Sequence, residues 1–373
     1  MKYIKELDSI RAIAALIVIF HHWLHGKFIT DKFDGVAMFF VLSGFLISGI
    51  LFENKNKAET LGTPKVQAFK NFFFRRAIRI FPIYYLVVFF VFFLGHQSQA
   101  HGFLYYLTYT SNFYIFHTQQ WGEFTHLWSL AVEEQFYFIW PWIILFVNKR
   151  NILAIIITFI LIGYISIYAI YTSLPGFTFL FRNGFSYMLT PACLLSLGLG
   201  SLLSWINYYK PNVLQNSYLF IYLIAILSFT VTIFNKNYTI AFFDRRILTS
   251  LITFGLIAYI YRNKEKRYSM FSFILRNKIL IGLGKISYGI YLYHFILPYY
   301  SYNVLSYVNN ALPEFLNKYQ KPLLFVENFF ILLLVSILSW KIIELPFLKL
   351  KKYFEYGQVN KQSNISTVEV VVR

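Results

Sequence analysis

The stretch "RAIAALIVIFHH", residues 11–22, opens on an arginine, runs through an unbroken apolar segment and closes on two histidines. Its length and hydropathy, together with the residues on either side, read as the first membrane-spanning helix of the chain. Polar groups are costly in the hydrocarbon region, so an arginine at one end and imidazoles near the middle call for a reason. Arg11 and His22 are eleven residues apart. At 100° per residue that is three turns plus about 20°, which puts both side chains on one face about 16.5 Å apart along the axis. Arg11 at the inner edge of the membrane then places His22 just beyond its middle.

The rest of the chain follows the same pattern. Hydrophobic residues make up 58% of the 373 residues and charged residues only 13%, with a mean hydropathy of +0.54. A water-soluble domain of this size has too little interior for that much apolar surface. The expected fold is therefore all-α, a polytopic integral membrane bundle of about ten transmembrane helices. The spans fall near 10–29, 35–52, 80–95, 127–147, 152–172, 185–206, 216–234, 246–262, 279–300 and 325–345. The net charge of +18 would suit a nucleic-acid partner only if it were gathered on one soluble face. It lies mainly in alternate short segments such as "FFFRRAIR", "NKR" and "NKEKR", the positive-inside pattern. Nucleic acid is thus not expected; the bilayer is the partner, and both termini are expected on the cytoplasmic side of the inner (cytoplasmic) membrane. Residues 1–356 read as one membrane domain and 357–373 as a short polar, disordered tail. The first apolar run ends in "HHWLHGK" rather than a small-residue cleavage site, and is read as an uncleaved span. The aromatic segment 96–126 is expected at the outer interface. Lone Cys193 permits neither an internal disulfide nor a cysteine metal site, and no metal ligand set is expected.

Four stretches carry residues with chemical potential. In the first, His22 either serves a reaction or bonds a neighbouring helix; His25 lies one turn above it, and Asp8, one turn before Arg11, either caps the helix or pairs with Arg11. In the second, "FFFRRAIRIFP" (72–82), Arg75, Arg76 and Arg79 cluster at three- and four-residue spacing. Such a cluster either anchors the inner surface or grips phosphates through bidentate bonds. In the third, "HLWSLAVEEQFYFIWP" (126–141), Glu133 and Glu134 interrupt an apolar helix. Ser129 shares a face with Glu133, and the acids serve either the helix start or a polar cavity. In the fourth, "GKISYGIYLYHF" (284–295), Tyr288, Tyr291 and His294 step along one helix; taken alone this is mostly structural.

In order along the chain, "LDSIRAIAALIVIFHH", "DGVAMFFVLSGFLIS", "RRAIR", "HLWSLAVEEQFY" and "ISYGIYLYHF" resemble the pattern of acyltransferase family 3, membrane acyltransferases that modify surface carbohydrates. The resemblance implies a cytoplasmic acyl-CoA donor, usually acetyl-CoA, with no permanently bound cofactor. It also implies a carbohydrate or glycolipid acceptor at the extracytoplasmic face. It assigns Arg11 and His22 to the essential first-helix pair, Arg76 and Arg79 to an Arg-x-x-Arg element, and Glu133 to the acid of the fourth-helix motif. Some members carry a C-terminal extracytoplasmic domain that passes on the acyl group; none is legible here, so the acceptor is expected to be met directly or through a separate partner. A histidine base suits such transfer because its ordinary pKa, about 6.5, lies near working pH. Glu133 is expected to orient that ring. The competing reading is a transporter or flippase of a polysaccharide precursor, with no internal repeat in its favour.

Overall fold

The computed structural model describes residues 3–24, 32–93, 102–122, 124–172, 185–234, 238–263, 270–310 and 319–354. His25, the polar tail and the loop residues Lys27, Arg182, Lys236 and Lys318 lie outside them. Every regular element among the described residues is helical. In chain order the helices are α1 (Lys5–Leu24), α2 (Gly35–Leu61), α3 (Lys65–Phe93), the short α4 (Phe103–Leu107) and α5 (Ser111–Thr118), α6 (Trp128–Phe146), α7 (Lys149–Thr172), α8 (Thr190–Tyr209), α9 (Pro211–Phe234) and α10 (Tyr238–Asn263). Four pieces, α11 (Met270–Leu275), α12 (Lys278–Lys285), α13 (Ser287–Tyr293) and α14 (Ile296–Asn310), precede α15 (Gln320–Ser339) and the short α16 (Leu345–Lys349).

Among the described residues, seven helical segments are long and apolar enough to cross a membrane, α1, α2, α3, α7, α8, α9 and the segment beginning with α15. Large apolar side chains such as Leu219 (71% exposed) and Phe330 (66%) cover the outside, as a lipid-facing surface requires and a soluble one would not tolerate. The chain is a helical membrane bundle. Each of the ten expected spans overlies helix, but the ninth does not run through. It breaks at Ile286 and again at His294 and Phe295, leaving α12, α13 and α14 as separate pieces. Irregular backbone at membrane depth is tolerated where protein buries it, and α13 is buried along nearly its whole length. The aromatic segment near 102–122 is likewise helical in part, as α4 and α5, with Leu104 and Trp121 exposed.

Local sequence explains the element ends. Asp34 caps α2, its carboxylate accepting from the Ala37 backbone N–H at 3.0 Å. At the other end Gly62 adopts φ 65°, a left-handed cap. Small residues set the closest packing. A methyl group on Gly44 would stand 2.0 Å from the Leu197 carbonyl oxygen, and one on Gly200 2.0 Å from that of Val41, so α2 and α8 meet backbone to backbone. Serines then bond across this seam: Ser48 Oγ donates to Ser201 Oγ at 2.9 Å while accepting from Trp140 Nε1 of α6 at 2.8 Å. Gly284 of α12 allows the Asp8 backbone of α1 to approach in the same way.

Two buried cations are structural. Lys55 donates to the Ile144 and Val147 carbonyls at 2.9 and 2.5 Å, closing the C-terminus of α6. Arg246 bonds Asp34 at 3.3 Å and the Tyr187 carbonyl at 2.9 Å, with its guanidinium over the Trp128 ring. Both satisfy the requirement that a charge away from water be paired.

Candidate active site

Helices α1, α2, α3, α6 and α13 enclose a central cavity of about 90 Å³, with room for a narrow chain or a few waters. Arg11, Ser43, Arg76, Arg79, Ser129, Glu133, Glu134, Tyr137, Tyr288 and Tyr291 line it. Arg11 is held by Asp8, whose Oδ1 accepts from Nη1 at 2.5 Å and whose other oxygen accepts from Tyr3. The anticipated pairing within the first turn is therefore present.

Arg76 and Arg79 line a second, inner pocket of about 380 Å³ as well, together with Arg75, Lys57, Lys351 and Glu53. They form the shared wall of the two spaces. Arg76 lies against the Phe72 and Tyr137 rings, 5.8 Å from each centroid. Neither guanidinium donates a hydrogen bond to any described residue. Arg75 is exposed and belongs to the inner pocket alone. Both guanidiniums, each with five N–H donors, thus border space that an anion can fill.

Glu133, expected beside His22, makes its hydrogen bonds to other residues. Its Oε1 accepts from Ser43 Oγ at 3.0 Å and its Oε2 from Tyr137 OH at 2.9 Å. The serine comes from the "FFVLSGFLIS" stretch of α2 and the tyrosine from one turn further along α6. Glu134 lines the same cavity although it points about 100° away on the helix.

His22 is oriented instead by His294, from the far side of the chain. His22 Nδ1 and His294 Nε2 are 2.8 Å apart, with the rings stacked at 12°. The next bond determines where the protons lie. His294 Nδ1 is 2.6 Å from the Tyr291 carbonyl oxygen, which can only accept, so Nδ1 carries the hydrogen. In the neutral ring Nε2 is then the acceptor, and His22 Nδ1 donates to it. The lone pair of a neutral His22 therefore resides on Nε2. The break between α13 and α14 makes this possible: His294 is the C-cap of α13 and is fully buried, and Trp23 Nε1 donates to its carbonyl at 2.9 Å.

A third imidazole, His126, adjoins this pair, its ring centroid 5.1 Å from that of His294. Its Nε2 is 3.0 Å from the Leu292 carbonyl oxygen, to which it donates, and its buried Nδ1 has no hydrogen-bond partner among the described residues. Tyr291 stands between the cavity and the imidazoles. It lines the cavity, its ring centroid is 5.4 Å from that of His294, and its hydroxyl bonds Ser129 Oγ at 2.5 Å and the His126 carbonyl at 3.0 Å. Tyr288 donates to the Ile80 carbonyl at 3.3 Å. Sequence reasoning singled out Arg11, His22, Arg75, Arg76, Arg79, Ser129, Glu133, Tyr288, Tyr291 and His294, and missed the contributions of Ser43, His126 and Tyr137. The signal for His126 was its place at the head of the "HLWSLAVEEQFY" stretch. Among the described residues no group of three or more His, Cys, Asp or Glu side chains is arranged to hold a metal ion.

Residues 4–343 match the family model described as an acyltransferase domain. A Staphylococcus aureus (strain COL) protein, provisionally named an O-acetyltransferase, is 29% identical over 94% of this chain and 58% of its own length. The peptidoglycan O-acetyltransferase OatA of Listeria monocytogenes serovar 1/2a is 30% identical over 79% of this chain and 49% of its own. A Bacillus subtilis (strain 168) protein, provisionally named a peptidoglycan O-acetyltransferase, is 38% identical over 38% of this chain and 23% of its own. The chain thus spans about half to three-fifths of the first two relatives. No solved structure matches it. A family match over nearly the entire length, on a helical membrane bundle whose charged residues converge on one cavity, identifies this chain as a member of the acyltransferase-domain family.

Proposed function

We propose that the chain transfers an acetyl group from cytoplasmic acetyl-CoA to a carbohydrate hydroxyl on the extracytoplasmic side of the cell membrane, with His22 as general base. Peptidoglycan is the acceptor class that the relatives' names favour. The observation that carries the reading is the position of Arg76 and Arg79, side chains with no hydrogen bond to a described residue that belong both to the basic inner pocket and to the central cavity. A donor with phosphates at one end and a thioester at the end of a slender arm fits that continuity. Its phosphates bind in the inner pocket and its arm enters the cavity toward His22. On the expectation of ten spans with both termini on the cytoplasmic side, supported by the positive-inside pattern of the basic segments, the pocket faces the side where CoA is found.

In the reaction the acceptor oxygen attacks the thioester carbonyl carbon while His22 Nε2 takes the hydroxyl proton. The tetrahedral intermediate then expels the thiolate, the C–S bond breaks, and the proton on Nε2 passes to sulfur. His22 thus ends as it began. The His22–His294 hydrogen bond keeps Nε2 the basic atom and stabilises the imidazolium formed in between. The chain of bonds ends at the Tyr291 carbonyl, which cannot carry a proton further, so His294 orients and stabilises rather than conducting. Glu133, held by Ser43 and Tyr137, offsets the arginine charge in the cavity.

Inverted membrane vesicles containing the chain, incubated with radiolabelled acetyl-CoA, test the reading. Label should appear on lumenal carbohydrate with the wild-type chain and not with His22→Ala. Equal incorporation by the two would remove His22 from the mechanism. Absence of any acetyl transfer, with carbohydrate export retained, would favour a transporter.

A further inference from the structure

A third space, of about 790 Å³, adjoins the inner pocket, and the mechanism leaves it unused. The residues before Arg11 form one side of it, with α2, α8, α10 and the start of α12 around them. Glu53 of α2 lines both this space and the inner pocket. The two therefore meet across one side chain, as the inner pocket and the central cavity meet across Arg76 and Arg79. The three spaces run in series from the outer end of the cavity to the inner end of the bundle.

The chemistry of the third space differs from its neighbour's. Five cations and one acid line the inner pocket. Three cations and two acids line the third space, and one of these pairs is closed, Arg276 Nε lying 2.6 Å from Glu6 Oε1. A wall so nearly neutral suits an uncharged ligand better than a phosphate. Ser204, Asn207 and Tyr208 line it together, at i, i+3 and i+4 on one face of α8. Neither the Asn207 amide nor the Tyr208 hydroxyl bonds a described residue, and Ser204 Oγ is buried without a partner among them. Tyr261 of α10 adds a second ring to the wall, fixed edge-on against Phe45 with centroids 5.0 Å apart. A carboxamide presents an acceptor and donors in one plane, the complement of the adenine edge, where N6–H donates and N7 accepts. Aromatic rings supply faces on which a base stacks.

We propose that this third space is the subsite for the adenine base of the donor, read by the Asn207 carboxamide from the α8 wall. This rests on the acyl-CoA donor reading above. The phosphates then occupy the inner pocket, the arm passes Arg76 and Arg79 into the central cavity, and the base lies on the other side of Glu53. Each part of the donor meets a wall of matching charge, cationic for the phosphates and near-neutral for the purine.

Calorimetry on the full chain in lipid nanodiscs tests the base separately from the rest of the donor. CoA is compared with 1,N6-etheno-CoA, which keeps the phosphates and the arm but has no N6–H. The wild type should bind CoA about 5- to 150-fold more tightly, the span expected of one bidentate amide–adenine pair. Asn207→Ala should lower CoA to the level of the etheno analogue and leave the analogue's affinity unchanged. Thermal unfolding should barely move, since the amide has no bond to a described residue to lose. A wild type that binds CoA and the analogue alike overturns the subsite and leaves the donor reading standing. Equal weakening of both ligands in Asn207→Ala marks a packing effect and also overturns it. So does a preference for CoA that survives the substitution, which places the base elsewhere. Adenosine 3′,5′-bisphosphate that still binds to CoA-saturated protein would reveal a separate nucleotide site, against the proposal. A wild type that binds no CoA overturns the donor reading itself, and the subsite with it.

Discussion

Replacing His294 tests the geometry most directly, because nothing in the local sequence ties it to His22. His294→Ala removes the acceptor 2.8 Å from His22 Nδ1. In the proposed mechanism that bond is made by an imidazolium during transfer, and a hydrogen bond to a charged group contributes about 1.5–3 kcal/mol. Each 1.36 kcal/mol is tenfold in rate, so kcat should fall roughly 10- to 150-fold. Loss of the base itself in His22→Ala should cost more, about 10²–10⁴-fold. Donor KM should barely move in His294→Ala, since His294 lines neither the cavity nor the inner pocket. His294→Gln supplies a carbonyl oxygen near the former Nε2 and should recover part of the rate. The assay is steady-state acetyl transfer by purified protein in lipid, with thermal unfolding measured in parallel to remove variants that fail to fold. A kcat within twofold of wild type in a well-folded His294→Ala would refute the orienting role, and so would a Gln variant no better than Ala.

Arg76→Ala and Arg79→Ala should each raise the donor KM by roughly 10- to 150-fold, from losing one charge-assisted contact of about 1.5–3 kcal/mol. Arg75→Ala, confined to the inner pocket, should do less, and an equal effect at all three positions would point to general surface charge. Glu133→Gln should lower kcat, because the amide group can no longer accept from both Ser43 and Tyr137; an activity unchanged in Glu133→Gln but lost in Glu134→Gln would reverse the assignment. Gly44→Ala places a methyl carbon 2.0 Å from a backbone oxygen, so thermal unfolding in detergent should show a loss of about 1–3 kcal/mol or more. Unchanged stability there would mean that α2 and α8 separate easily.

The helical membrane fold was legible because hydropathy and helix period are local properties, readable one window at a time. The same holds for the face shared by Arg11 and His22, the cationic cluster at Arg75, Arg76 and Arg79, and the acids at Glu133 and Glu134. These positions were visible as costs, since a charge in an apolar helix must have a compensating partner somewhere. What the partner is was not visible. A carboxylate is the usual orienter of a catalytic imidazole, so Glu133 was assigned to His22. The folded chain gives Glu133 to Ser43 and Tyr137 and gives His22 to His294, 272 residues away. Glu133 and Glu134 point about 100° apart on the helix, yet both line the one cavity. The break that delivers His294 also escaped the hydropathy profile, because Ile286 and Phe295 are as apolar as the helices they divide. Local composition determined that this chain lies in a membrane as helices and which side chains need partners there. Only tertiary packing decided the pairing, because a hydrogen bond between distant segments depends on where close-packed helices, seated on glycines such as Gly44 and Gly284, bring their side chains to rest.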